Sequence, residues 1–183
     1  YMEQKKVRVG VIGAGSIAYA AHFPALTSFD DVEIATVLSE PYETATKAAK
    51  LFGIGHVSKD LNDFLSQDLD AAVLLTPKTI RKQYLVPLLD AKLDVLVEKP
   101  LATTLAECDY LADMSAKSGQ IVMVAFNRRY SEVNRAGIAE FKDKKPHYVL
   151  AQKCREFKEY RATLENSIHM VDMLRYILGE CVN

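Results

Sequence analysis

The chain has 183 residues, enough for one full domain and part of a second. Its hydrophobic share of 49%, charged share of 26% and net charge of -1 are those of an ordinary globular protein and exclude the strong field that general nucleic-acid or acidic-membrane binding needs. Cys108, Cys154 and Cys181 are far apart and lack metal-ligand spacing, so they read as unpaired thiols of a reducing cytoplasm rather than disulfides. No apolar run reaches the ~20 residues that a membrane span takes, and YMEQKK leads into a strand with no signal-peptide pattern. Tyr1 ahead of Met2 reads as the remnant of a tag.

In chain order, Val7, Val9, Gly10, Val11 and Ile12 form the short apolar run of a buried parallel strand, and Gly13-Ala14-Gly15-Ser16-Ile17-Ala18 follows at once. The first glycine allows the tight turn, the second leaves room for a pyrophosphate, and Ala18 lets the next helix pack closely. The amides of Gly15, Ser16 and Ile17 then open a helix that favours an anion. That helix is predicted from Ser16 to Ser28, with Pro24 at a bend or break. Val32 to Leu38 is a β-branched strand, ending at Ser39-Glu40 where a nucleotide fold meets the adenine ribose. Tyr42 to Phe52 is a helix closed by Gly53, His56-Val57 a short strand, Leu61 to Leu65 a short helix and Leu69 to Thr76 a strand stopped by Pro77. A helix from Thr79 to Asp90, a strand from Asp94 to Val97, a helix from Thr103 to Ser118 ended by Gly119 and a strand from Ile121 to Phe126 complete the series. Strands and helices alternating at this rhythm predict an α/β fold with a doubly wound parallel sheet, covered on both faces.

Past residue 126 the pattern changes, so the domains are read as 1–126 and 127–183. The second part holds a polar helix from Ser131 to Lys142, a breaker at Pro146, an edge strand from His147 to Cys154, a charged KEYRAT stretch and an apolar helix from Ile168 to Leu178. That last helix is apolar on more of its circumference than a surface helix needs, so a further layer or a partner is expected to cover it.

Two clusters suggest chemistry. Glu98-Lys99-Pro100 sits at the C-terminal end of a strand, where ligands bind in open α/β sheets. Beside a cationic nicotinamide, Lys99 could transfer a proton or polarise a substrate oxygen, whereas a solvated Lys99–Glu98 pair is the plainer alternative. His169 and Asp172 lie three residues apart on one helix face, as a general base with an orienting carboxylate or as a surface pair. His22, His56 and His147 have no metal-ligand spacing, and no metal site is expected.

The segments VGVIGAGSIAYAAHFPAL, LLTP, VEKPLATT, VAFNRRY and SIHMVDMLRYILGE, in this order, resemble the Gfo/Idh/MocA oxidoreductase family, and within it the MviM-like homologues. The resemblance covers nearly the whole chain. It implies an NAD(P)-binding Rossmann domain followed by the start of a second α/β domain, dihydrodipicolinate-reductase-like and built on a large open sheet. It assigns Gly13, Gly15, Ser16 and Ile17 to the pyrophosphate, Ser39 and Glu40 to the ribose, Thr76 and Pro77 to the cofactor cleft, and Glu98 and Lys99 to the nicotinamide. Asn127 and Arg128 border the active site, and His169 and Asp172 form the H-x-x-D pair near the substrate. Lys78 and Arg81 stand where the family often has Asn and His, so this side of the pocket is expected to differ. Family members continue for well over a hundred residues past that pair, whereas this sequence stops at Asn183, as a fragment or as a shortened protein. The expected activity is hydride transfer between NAD or NADP and a sugar, polyol or similar secondary alcohol. The expected protein is cytoplasmic and homo-oligomeric, without nucleic-acid or membrane partners. Ser39 lacks the carboxylate that would exclude a 2′-phosphate and so speaks for NADP, whereas Glu40, with no Arg or Lys following to hold that phosphate, tilts the cofactor toward NAD. A dinucleotide-binding sensor without catalysis is the alternative.

Overall fold

The structure is a computed structural model that describes residues 5–141, 144, 146–152 and 163–180. Tyr1, Cys154, Cys181 and most of the KEYRAT stretch lie outside the described residues. The chain divides into two compact units, Tyr1–Val124 and Ala125–Asn183.

Six strands build the first unit: β1 (Val7–Ile12), β2 (Val32–Leu38), β3 (His56–Val57), β4 (Ala71–Leu74), β5 (Asp94–Val97) and β6 (Val122–Val124). All pair in parallel in the order β3-β2-β1-β4-β5-β6, so the chain winds outward from β1 to one edge, returns, and winds to the other. Because side chains alternate along a strand, β1 feeds both faces. Val9 and Val11 join Phe23, Val37, Ala45 and Ala48 on one side, whereas Ile12 joins Phe64, Leu74, Leu85, Leu88 and Val97 on the other.

The helices are α1 (Phe23–Thr27), α2 (Tyr42–Phe52), α3 (Leu61–Leu65), α4 (Arg81–Asp90) and α5 (Leu105–Ser118). Asp60 and Thr104 cap α3 and α5 by accepting from the amides of Asp63 (2.8 Å) and Glu107 (3.3 Å), the latter the first half of a capping box. The helix expected from Ser16 to Ser28 is interrupted as Pro24 requires. Ala18–His22 widens into a π turn before α1 begins at Phe23, with Pro24 in its first turn, where the missing amide costs nothing.

The second unit holds a 3-10 turn at Asn127–Tyr130, α6 (Glu132–Ala139), a π turn at Thr163–Ser167 and α7 (Ile168–Leu178). The expected strand from His147 to Cys154 is not formed over 147–152, while 153 and 154 lie outside the described residues. The apolar run Tyr148-Val149-Leu150-Ala151 does not make a strand by itself when, among the described residues, no neighbouring ladder takes up its backbone groups. On α7, Met173 is buried, but Val171 and Tyr176 are exposed, as the surplus apolar surface of its sequence leads one to expect.

Gly10 lies where β1 crosses the buried Phe64. An added Cβ would stand 2.7 Å from Phe64 Cε2 and 2.8 Å from Leu69 Cδ1, while the register of β1 against β2 already shifts at this residue. Gly10→Ala is therefore expected to cost about 1–3 kcal/mol, as overpacking does. Chemical denaturation checks this, and a variant as stable as the parent would show that the ring has room to move.

Candidate functional site

The glycine loop is fixed by backbone contacts on both sides. Gly13 has φ +105°, a region that disfavours side chains, and a Cβ there would lie 3.0 Å from the Leu75 carbonyl carbon. Its amide donates to Leu38 O at 2.8 Å, while the Leu75 amide donates to Ile12 O at 2.8 Å. The next amide, of Ala14, donates to Ser39 Oγ at 3.1 Å, and the Ser39 and Thr44 hydroxyls share a 2.8 Å hydrogen bond. Ser39 thus belongs to the support of the loop. Gly15 needs neither a positive φ nor a close neighbour, and a Cβ on it would enter open space. What glycine preserves there is room above the loop.

That room is part of a groove of about 380 Å³ at the C-terminal edge of the sheet. Gly13, Gly15, Ser16 and Ile17 line it with Ser39, Glu40, Thr76 and Pro77, so eight of the residues singled out from sequence come together. Ile80 and Tyr84 line it too, and sequence reasoning missed them. Their only signal was the helical spacing of apolar residues just after Pro77.

A dinucleotide fits this groove on three counts. There is space over Gly15 for a pyrophosphate, and Ser16 and Ile17 open a helix whose first intrahelical donors are Ala18 and Tyr19, both to Gly15 O. Thr76 Oγ1 is a buried polar atom with no hydrogen-bond partner among the described residues. Glu40 is exposed at the groove and offers carboxylate acceptors for ribose hydroxyls.

Glu98 and Lys99 follow β5 and stand outside this lining. Their segment is held by side chains that the sequence hid. Arg81, 3% exposed, donates through Nη1 to Glu98 O (2.5 Å) and Pro100 O and through Nη2 to Thr76 O (2.7 Å). Burial pulls its pKa down to about 10, with the nearby Glu98 carboxylate acting the other way, so it stays charged at neutral pH. His22 Nε2 lies 2.9 Å from Glu98 Oε1, and both side chains are about 15% exposed. Burial pushes the Glu98 carboxyl up, but the His22 bond, the Lys99 amide and nearby positive charge outweigh it and hold the group below its ordinary value.

In the second unit, His169 sits in the first turn of α7 with its ring edge-on to Phe126, the centroids 6.5 Å apart. Asp172, expected to orient His169, is buried and engages Arg129. Arg129 Nε donates at 3.1 and 2.9 Å to the two carboxylate oxygens, and Nη2 donates to Oδ1 at 2.6 Å. This bidentate pair ties the 3-10 turn to α7, and its hydrogen bonds hold the Arg129 pKa above the ordinary value. Asn127 and Arg128 are exposed in that turn. Among the described residues no group of His, Cys, Asp or Glu could hold a metal ion, and no helix is long and apolar enough to cross a membrane.

Residues 7–126 match the Gfo/Idh/MocA family, described as an oxidoreductase family with an NAD-binding Rossmann fold. The chain is 27% identical over 188 residues to a myo-inositol 2-dehydrogenase of Thermotoga maritima, covering 95% of this chain and 55% of that protein. It is 31% identical over 126 residues to a 4-carboxy-2-hydroxymuconate-6-semialdehyde dehydrogenase of Sphingobium sp., covering 68% of this chain and 40% of that one. A 3-ketoreductase from Actinomadura kijaniata, solved with NADP, superimposes with a TM-score of 0.69 at 26% identity, over 76% of this chain and 44% of the other. A dehydrogenase (MviM) from Clostridium difficile gives 0.81 at 24% identity, over 98% and 59%, a likeness of fold. The chain spans about half the length of the curated relatives it matches. On the family match and the groove that the glycine loop builds, the chain belongs to the Gfo/Idh/MocA oxidoreductase family.

Proposed function

We propose that the protein is an NAD(P)-dependent oxidoreductase that transfers hydride between a nicotinamide cofactor and a sugar, polyol or similar secondary alcohol. The observation that carries this reading is the open glycine-loop groove at one strand end together with Lys99 at another strand end of the same sheet edge. When bound, the nicotinamide supplies the acceptor or donor of hydride. The protein supplies binding, orientation and proton handling. Gly13, Gly15, Ser16 and Ile17 hold the pyrophosphate, and Thr76 and Pro77 form the opposite wall. Lys99 offers an ammonium to the substrate oxygen, stabilising charge that develops there. His169 takes the hydroxyl proton, and Asp172, through Arg129, keeps the helix that carries His169 in place. The names of the relatives, an inositol dehydrogenase and a ketoreductase, support an alcohol or carbonyl substrate.

The cofactor is NAD in preference to NADP. Ser39 is occupied with Ala14 and Thr44, which leaves the Glu40 carboxylate at the ribose end, where it accepts from hydroxyls and repels a 2′-phosphate.

Titration by nicotinamide fluorescence is expected to give NADH at least a tenfold advantage over NADPH, about 1.4 kcal/mol. A preference for NADPH would move Glu40 off the ribose. Gly15→Ala is expected to leave stability within about 0.5 kcal/mol, since its Cβ meets nothing. It should weaken NADH binding at least tenfold, about 1.4 kcal/mol, and unaltered affinity would remove the pyrophosphate from the space above Gly15. In a panel of inositols and sugars followed at the absorbance of the reduced cofactor, Lys99→Ala should lower turnover by about 10²–10⁴-fold. Oxidation of no member, or a Lys99→Ala variant with parental turnover, would favour a binding protein without catalysis.

A further inference from the structure

We infer that His22 is a positioning residue for Lys99, acting through the Glu98 carboxylate; this rests on the reading of Lys99 as a group that meets substrate. The backbone of the Glu98-Lys99-Pro100 segment is tied down atom by atom. The Glu98 amide donates to Leu74 O at 3.0 Å, and the Glu98 and Pro100 carbonyls accept from Arg81. The Lys99 amide donates to Glu98 Oε2 at 3.1 Å. That last tie is different in kind, because its acceptor is a side chain that must itself be kept in one rotamer. The other oxygen, Oε1, meets His22 Nε2 at 2.9 Å. His22 therefore fixes the carboxylate that fixes the Lys99 amide.

His22 also has an unusual backbone setting. It ends the π turn Ala18–His22, a rare local winding found mostly as single turns inside α-helices and frequently at functional sites. The same helical segment begins at Ser16 on the glycine loop. The His22–Glu98 pair thus joins the element that holds the pyrophosphate to the tip that carries the proposed reactive amine. Its partners are 76 positions apart in sequence, and both are largely shielded from water. The titratable groups around the Glu98 carboxylate are His22, Lys99 and the Arg81 guanidinium. Arg81 binds the backbone carbonyls, and His22 Nε2 meets the carboxylate oxygen that the Lys99 amide leaves. A reactive group misplaced by about 1 Å loses about 10²-fold in rate, so such a brace is of catalytic consequence.

The test measures the Lys99 amine directly, without substrate or turnover. Initial rates of reductive methylation at Lys99 are followed by mass spectrometry in the parent, His22→Phe and His22→Gln, with Lys92 as an internal control. Phe keeps the ring volume and loses the nitrogen; Gln restores an N–H donor toward Oε1. Loosening the segment in His22→Phe should raise the Lys99 rate about threefold or more, with Lys92 unchanged. His22→Gln should return it toward the parental rate. Equal rates in His22→Phe and the parent, or an equal rise in both variants, would overturn the inference. Should His22→Phe not fold by circular dichroism, Glu98→Ala decides: it must produce the same rise. Where both singles fold, the double variant must add nothing further, since the two residues act in series. Parental turnover in Lys99→Ala would instead sink the functional reading and leave the labelling result standing.

Discussion

The site depends on how closely the backbone of Gly13 approaches its neighbours. It lies between the strand ends of β2 and β4, donating to Leu38 O, with a φ of +105° that strains any side chain and room so tight that a Cβ would stand 3.0 Å from the Leu75 carbonyl carbon. Because β1 is the central strand, paired with β2 on one side and β4 on the other, that contact sets where the chain leaves the sheet. The groove follows from it. The two crossovers diverge on either side of β1, so the space between them opens above the glycine turn, at the point where strand order reverses. Ala14 and Ser39 then fasten the turn laterally.

Arg81 plays the corresponding part on the other side of the sheet edge. A guanidinium taken out of water is costly unless its donors are used, and hydrogen bonds to a charged group contribute about 1.5–3 kcal/mol each. Here Nη1 and Nη2 meet carbonyls that follow β4 and β5, while Nε has no hydrogen-bond partner among the described residues. The loops at two strand ends are therefore held by one side chain from the start of α4, and a permanent positive charge is fixed beneath Glu98 and Lys99. Lysine could not take over this role, since a single ammonium lacks the planar fork that reaches three carbonyls.

Much of this was legible in the sequence, and the reasons divide cleanly. The strand–turn–helix at Val7–Ala18, the α2 helix with Gly53 behind it and the α7 helix could be read because local pattern and tertiary environment agree there. Over 147–152 the expected strand had an apolar run but, among the described residues, no ladder to join. The Arg81 clamp and the His22–Glu98 pair were hidden for a different reason. Each joins residues far apart in sequence, 17 to 19 positions for the Arg81 bonds to Glu98 and Pro100 and 76 for the His22 pair, and nothing local marks a side chain as the partner of a distant carbonyl. Arg129 escaped notice in the same way, although it lies in the segment that carried the resemblance. Its engagement of Asp172 shows that a carboxylate three residues from a histidine need not serve that histidine first.

The tether at Ser39 couples the geometry of the glycine loop to the start of α2. Here the Ala14 amide donates to the Ser39 hydroxyl and the Thr44 hydroxyl lies against it, so the position suits a short side chain that can accept, whereas a bulky apolar one would leave the amide without its acceptor and push the first turn of α2 from the loop. Glu40 is one step further along and carries no such duty in the loop. Position 39 is therefore confined to side chains that can accept from the loop while leaving room for the start of α2, and position 40 carries no such constraint.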